Sequence, residues 1–288
     1  MGNIESDTPY QKKWETHSLT QVEKQQIAAT LNQPFTYLGK GCQAYVFESA
    51  DGRYVIKFFK HQRFRPQAWI DWLTFIPAVN DYQLQKTEEK KEKLDKVLTS
   101  WKIAFEELKA ETGVVYVHLN KSQEWQKTVA IRDKLGLHHQ VDLDQTEFLL
   151  QRKAVMLCPA IGQLVNEGKM AEAELLIDRL LIMLLSEYAR GYADNDHALM
   201  QNTGVLDGFP VHIDIGQFIY NEIVKAPKVY KQELYDKTYK FHKWLEDRHP
   251  ALADHLEARL IAIIGPDYFY SAPYVHKGDV AKIPHKPD

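Results

Sequence analysis

Cysteine is nearly absent from this chain. Its 288 residues hold only Cys42 and Cys158, isolated from each other. That excludes a disulfide-dense scaffold and suits a reducing, cytoplasmic setting. Long apolar runs are lacking as well. The run Leu180–Leu185, among the longest, is far too short to span a bilayer, so no transmembrane segment is expected. The first residues are polar and carry no signal-peptide apolar core. Nor is there an excess of one charge. Lys and Arg number 36 against 39 Asp and Glu, a formal net charge of −3, so nothing global points to nucleic acid or an anionic membrane as a partner.

What is present suits a folded enzyme-sized chain. Hydrophobic residues make up 44%, enough for a sizeable core, and 11% are aromatic, which argues against disorder. The length fits one large domain or two lobes sharing a cleft. Met1-Gly2-Asn3-Ile4-Glu5-Ser6 matches the N-myristoylation pattern, but so short a pattern recurs by chance and enters no functional argument.

Residues 1–17 read as a loose arm. A helix then opens with Ser18 as N-cap and Gln21 reaching back, and it runs to about Leu31, before Pro34. The period changes next. Phe35–Leu38, Tyr45–Phe47 and Arg53–Phe59 read as three antiparallel strands, joined by the Gly39–Ala44 stretch and by an Asp51-Gly52 turn. Glycine in the first turn lets backbone amides approach a phosphate closely. Lys57 alternates with Val55 and Phe59 on one face, and a lysine on an apolar face needs a partner or a substrate anion.

Residues 61–80, with Phe64, Trp69, Trp72 and Phe75, read as an irregular aromatic cap. Residues 81–112 read as a long helix whose second half carries the stripe Trp101, Ala104, Phe105, Leu108 and Thr112. Val114–Leu119, Thr128–Arg132 and Glu147–Leu157 read as strands. Leu137-His138-His139 offers adjacent histidines on opposite sides of a strand, not a metal pair. Met170–Tyr188 is apolar nearly all round, which implies a buried central helix.

The segment after that helix is the densest in chemistry: GYADNDHALMQNTGVLDGFPVHIDIGQF, from Gly191 to Phe218. Asp207-Gly208 is a hairpin turn between Thr203–Leu206 and Pro210–Ile213. Asn202 and Asp214 therefore flank the hairpin's open end. Two oxygen-bearing side chains there suit Mg²⁺, which takes its remaining ligands from water and phosphate. Residues 230–246 and 250–264 complete the chain as helices, followed by a tail with Pro, Tyr and Lys.

Three stretches together carry a family resemblance. GKGCQAYVF, then YVIKFF, then GYADND through HIDIGQF resemble, in order, the glycine-rich loop, lysine strand and catalytic and metal-binding loops of the protein-kinase-like superfamily. The resemblance implies an α+β, two-lobed protein-kinase-like fold: a small antiparallel β-sheet lobe with a helix, plus a mainly helical C-lobe. The implied division is an arm and helix over 1–34, an N-lobe over 35–157 and a C-lobe over 158–288. The segment after Leu157 would be the hinge, with Leu157 and Ala160 near adenine.

The implied activity is an atypical, ATP- and Mg²⁺-dependent phosphotransfer to a protein or small-molecule hydroxyl. Gly39, Lys40, Gly41, Cys42, Ala44 and Val46 would cover the nucleotide. Lys57 would hold phosphate oxygens and be oriented by a helix glutamate, Glu107 or its rival Glu111. Asn202 and Asp214 would hold the metal, and Asp196 would be the catalytic base. The sequence departs from the family pattern in three places. Ala44 replaces the third glycine, with one extra residue before Val46. Ile215 replaces the usual Phe. Asp196 and Asn202 enclose five residues where four are usual, so Asp194 and His197 stand as further candidates for the base. No A-P-E segment follows. The alternative is a pseudokinase: the same fold as a nucleotide-binding or interaction module without catalysis.

Overall fold

The computed structural model describes residue 4, residues 8–64, residues 77–272 and residue 283; for 77–80 only the backbone is described. The chain is mixed α+β and divides into two compact units, Met1–Lys153 and Ala154–Asp288. The myristoylation pattern and most of the aromatic stretch 61–80 lie outside the described residues.

The first unit opens with helix α1 (Gln21–Thr30). Its N-cap is Thr20, not Ser18. Thr20 accepts from the Glu23 amide, and the Glu23 carboxylate accepts from Thr20 in return. An ionised carboxylate at the third position outcompetes a neutral Gln, because it also favours the positive end of the helix dipole. Strands β1 (Phe35–Lys40), β2 (Ala44–Ser49) and β3 (Tyr54–Phe59) follow as an antiparallel series. Gly52, at φ 69°, closes the second hairpin.

Helix α2 (Pro77–Glu106) ends at a break, and a short helix α3 (Lys109–Thr112) stops at Gly113, which takes the left-handed conformation. Strands β4 (Val114–His118), β5 (Thr128–Arg132), β6 (His138–Asp142) and β7 (Phe148–Arg152) complete a seven-stranded sheet in the order β4-β7-β3-β2-β1-β5-β6. The sheet is larger than expected and not purely antiparallel, because β1 and β5 run parallel. Phe58, Phe148, Phe47 and Tyr116 fill one face. The predicted stripe of α2 is buried, and Trp101 packs its ring 4.2 Å from Phe59.

The expected strand Glu147–Leu157 is cut in two. β7 ends at Arg152, and β8 (Val155–Met156) belongs to a different sheet. Leu157 opens helix α4 (Leu157–Asn166) instead of a hinge, and it is fully buried in the core of the second unit. Pro159 lies two residues past the end expected for that strand. It sits in the first turn of α4, where its missing N–H would have had no helical partner anyway.

Helix α5 (Met170–Arg190) is the centre of the second unit. Leu176, Ile177, Leu180, Leu184 and Tyr188 are buried in a common core with residues of α7 (Pro227–Arg248) and α8 (Pro250–Ile264). It is not buried all round, since Leu175 and Ile182 lie exposed on its outer side. Gly191 ends α5 at φ 89°, where a Cβ would come 3.1 Å from the Tyr220 ring. Strand β9 (Tyr192–Asp194), the turn α6 (Leu199–Asn202), hairpin strands β10 (Thr203–Leu206) and β11 (Phe209–His212), and β12 (Phe218–Tyr220) then follow. Helix α9 spans Pro266–Ser271. Among the described residues no helix is long and apolar enough to cross a membrane.

Candidate functional site

In the first unit the glycine-rich turn joins β1 to β2. Gly41 donates its amide to the Ala44 carbonyl at 3.0 Å, leaving Cys42 and Gln43 at the tip. Lys57 lies on β3 directly across from Val46 of β2 and Leu149 of β7, and it is half-buried. Of the residues expected at the nucleotide, Gly39 and Lys40 end β1, Gly41 and Cys42 lie in the turn, Ala44 and Val46 are on β2 and Lys57 is on β3.

It missed two cations that close over the turn. Lys60 donates its ammonium to the Gly41 carbonyl. Arg63 donates to the Cys42 carbonyl at 2.6 Å and lies 3.0 Å from its Sγ. Burial and then the neighbouring Lys40 charge hold Lys60 below the usual lysine range. The tip therefore gathers Lys40, Lys60 and Arg63. The signal was the basic run after β3, KHQR, but only the three-dimensional turn brings it to bear on Gly41 and Cys42.

Glu107 does not lie within α2. It falls on the exposed turn just past the helix, whereas Glu111 sits half-buried on α3. A buried carboxylate–imidazole pair of the same unit escaped the sequence reading: Glu147 meets His61 at 2.9 Å, both nearly inaccessible. His139 bonds Asp133.

In the second unit the hairpin forms as Asp207-Gly208 dictates. Both residues take positive φ, and the strands pair from Thr203↔His212 to Leu206↔Phe209. At the open end the Ile213 amide donates to the Asn202 carbonyl at 2.7 Å, so Asn202 lies opposite the residue that precedes Asp214. Asn202 is 7% exposed, and its amide nitrogen finds no hydrogen-bond partner among the described residues. Asp214 is exposed. A buried side-chain amide without a partner can offer its oxygen to a hydrated hard cation, since amide O and N can exchange places by a flip. Among the described residues no three His, Cys, Asp or Glu side chains converge as a metal site. Any cation here would draw mainly on water and phosphate oxygens.

The three candidate bases differ sharply. Asp194 is 2% exposed; Lys237 of α7 donates to its carbonyl at 3.0 Å and to Oδ2 at 3.4 Å, and the Asp196 amide donates to Oδ1. Burial raises the Asp194 carboxyl, an effect partly offset by the Lys237 charge. His197 meets Glu233 of α7 at 2.9 Å. Asp196 is half-buried and accepts from the Ala198 amide at 3.1 Å. The chain reaches Asn202 from Asp196 through α6, a single helical turn. Lys237 and Glu233 are more than thirty-five residues from their partners, and no local pattern flags them.

The sequence matches no family model, and comparison with curated proteins gives no match.

Proposed function

We propose that this chain is a kinase-like protein that binds ATP with Mg²⁺ and transfers a phosphoryl group to a hydroxyl of a protein or small molecule. The observation that carries the reading is the hairpin clasp. The Ile213–Asn202 hydrogen bond holds Asn202, with its buried and unpartnered amide, opposite the residue before Asp214, following a strand that ends in Asp194. The cationic turn of the first unit, with Lys40, Lys60 and Arg63, supports it independently, because phosphates need concentrated positive charge.

In this reading the Gly39–Ala44 turn and Lys57 take phosphate oxygens, and Asn202 and Asp214 hold the cation. The cation's chemistry is neutralisation of charge on the transferring group. Asp196 accepts the acceptor hydroxyl's proton. It is half-buried, whereas Asp194 is almost inaccessible. Neither Glu107 nor Glu111 is favoured here as the partner of Lys57. Positioning and charge stabilisation suffice for this chemistry, so few side chains are required.

The inserted turn α6 favours a second reading, a pseudokinase that binds nucleotide without transfer. The test separates them. Thermal denaturation is followed with ATP, with and without Mg²⁺, alongside detection of phosphate transferred from ATP to the protein. Both readings expect a Mg²⁺-dependent rise in melting temperature that Asp214→Ala abolishes. Only the enzyme yields transferred phosphate that Asp196→Asn and Lys57→Ala remove. A wild-type protein indifferent to ATP rejects both.

A further inference from the structure

The parallel pairing of β1 and β5 has a consequence at one end of the seven-stranded sheet. Their register, Phe35↔Ile131 and Thr36↔Arg132, makes the two strands leave the sheet at the same end. There β5 passes through a tight tip, residues 133–137, into the edge strand β6.

That tip presents leucines to solvent. Leu135 is 74% exposed and Leu137 56%, and Leu38 near the end of the adjacent β1 is 49% exposed. Unpartnered leucines on a short β-turn are costly in water unless something covers them. Four of the five tip amides are meanwhile bonded within the tip. The amides of Leu135 and Leu137 both donate to Asp133 Oδ1 at 2.9 Å, Gly136 donates to the Asp133 carbonyl, and Asp133 donates to that of Leu137. Gly136, at φ 84°, allows the closure, with the Arg132 guanidinium alongside. Those four amides can leave water without losing their hydrogen bonds.

The flanking charge is positive. Arg132, Lys134 and Lys40 are exposed at this end, while the carboxylate among them, Asp133, is engaged by the tip amides and by His139 at 2.9 Å. The whole chain is slightly anionic, so attraction to an anionic surface acts only locally, within roughly a Debye length of about 8 Å.

We infer that the β5–β6 tip is a membrane-docking element: Leu135 and Leu137 enter the interface of an anionic bilayer while Arg132, Lys134 and Lys40 meet the lipid headgroups. Exposed leucines and exposed cations on one short stretch are the combination by which peripheral segments engage such surfaces. The inference does not depend on nucleotide binding.

The test is co-sedimentation of the full chain with phosphatidylcholine vesicles, with and without phosphatidylserine. Sedimentation is expected with phosphatidylserine, falling as salt rises. Lys134→Glu should weaken it by about fivefold or more, one basic residue's share at an anionic surface. The double substitution Leu135→Ser, Leu137→Ser should abolish it without changing the melting temperature, since both side chains are exposed. A Leu135→Trp reporter should shift its emission to shorter wavelength on adding the same vesicles. Absence of sedimentation with phosphatidylserine vesicles overturns the inference. So does binding that survives the double substitution, or a double substitution that instead changes the oligomeric mass in solution.

Discussion

Lys237 of α7 places its ammonium 3.0 Å from the carbonyl oxygen of Asp194 and 3.4 Å from its carboxylate, with both residues 2% exposed. The strand β9 that precedes the candidate base is thereby tied to a helix that begins more than thirty residues later in the chain. Asp194 in turn accepts from the Asp196 amide, and Asp196 from that of Ala198. One cation thus anchors the whole turn that leads to Asn202.

Removing that cation strands a buried acid. Lys237→Met should destabilise the second unit by ~3–5 kcal/mol, the usual cost of breaking a buried pair from one side. The double variant Lys237→Met, Asp194→Asn should recover part of the loss. Urea denaturation of the four proteins measures the coupling; additive effects would mean the contact contributes nothing to stability.

Gly204 is wedged in the middle of its small sheet. A Cβ there would lie 2.6 Å from that of Ala154, 2.9 Å from Ile213 Cγ2 and 3.0 Å from the Val155 carbonyl oxygen. Gly204→Ala should therefore destabilise by ~1–3 kcal/mol, as overpacking does. It should also push on Ile213, whose amide holds Asn202, and so weaken any Mg²⁺-dependent stabilisation. A variant as stable as wild type in chemical denaturation would refute the wedge.

His118 is buried, with Nδ1 2.9 Å from the Thr146 carbonyl oxygen, and burial lowers its pKa. Its folded value lies below its unfolded value, so the unfolded chain binds the proton more readily. The contribution of this residue is complete above the unfolded value near 6.5 and is lost as pH falls toward the folded value. Acidifying from neutral pH to about 5.5 should lower the urea midpoint, and His118→Gln should flatten that slope. An equal slope in the variant would assign the effect to other groups.

The two thiols should part company in a labelling experiment. Cys42 is exposed at the tip of the glycine-rich turn, 3.0 Å from the Arg63 guanidinium. Cys158 is half-buried, and burial pushes its thiol up to about 11. At neutral pH a thiol reagent should modify Cys42 quickly and Cys158 slowly, because the thiolate is the reacting form. Mass spectrometry of the partly labelled protein reads the order, and preferential labelling of Cys158 would contradict it.

Local signals in the sequence proved dependable where one residue pair dictates geometry. Asp207-Gly208 demanded two positive φ angles and obtained them, which set Asn202 and Asp214 at one end of the hairpin. The strand pattern of YVIKFF and the stop at Gly113 were legible for similar reasons. Residue types with two uses misled. Pro159 both breaks strands and opens helices, and α4 takes the second use. Apolar density around α5 left Leu175 and Ile182 outside, because composition does not state how many neighbours a helix has.

The chain's order of residues determined, by itself, the α+β character, the hairpin clasp and the glycine-rich turn, since each follows from backbone preferences within a few positions. Only the tertiary structure decided what surrounds them: Lys60 and Arg63 over the turn, Lys237 beneath Asp194, Glu233 against His197, and the parallel strand β5 beside β1. Those partners come from elements with no fixed sequence separation, and a buried charge accepts a counterpart from whichever element packing brings within reach.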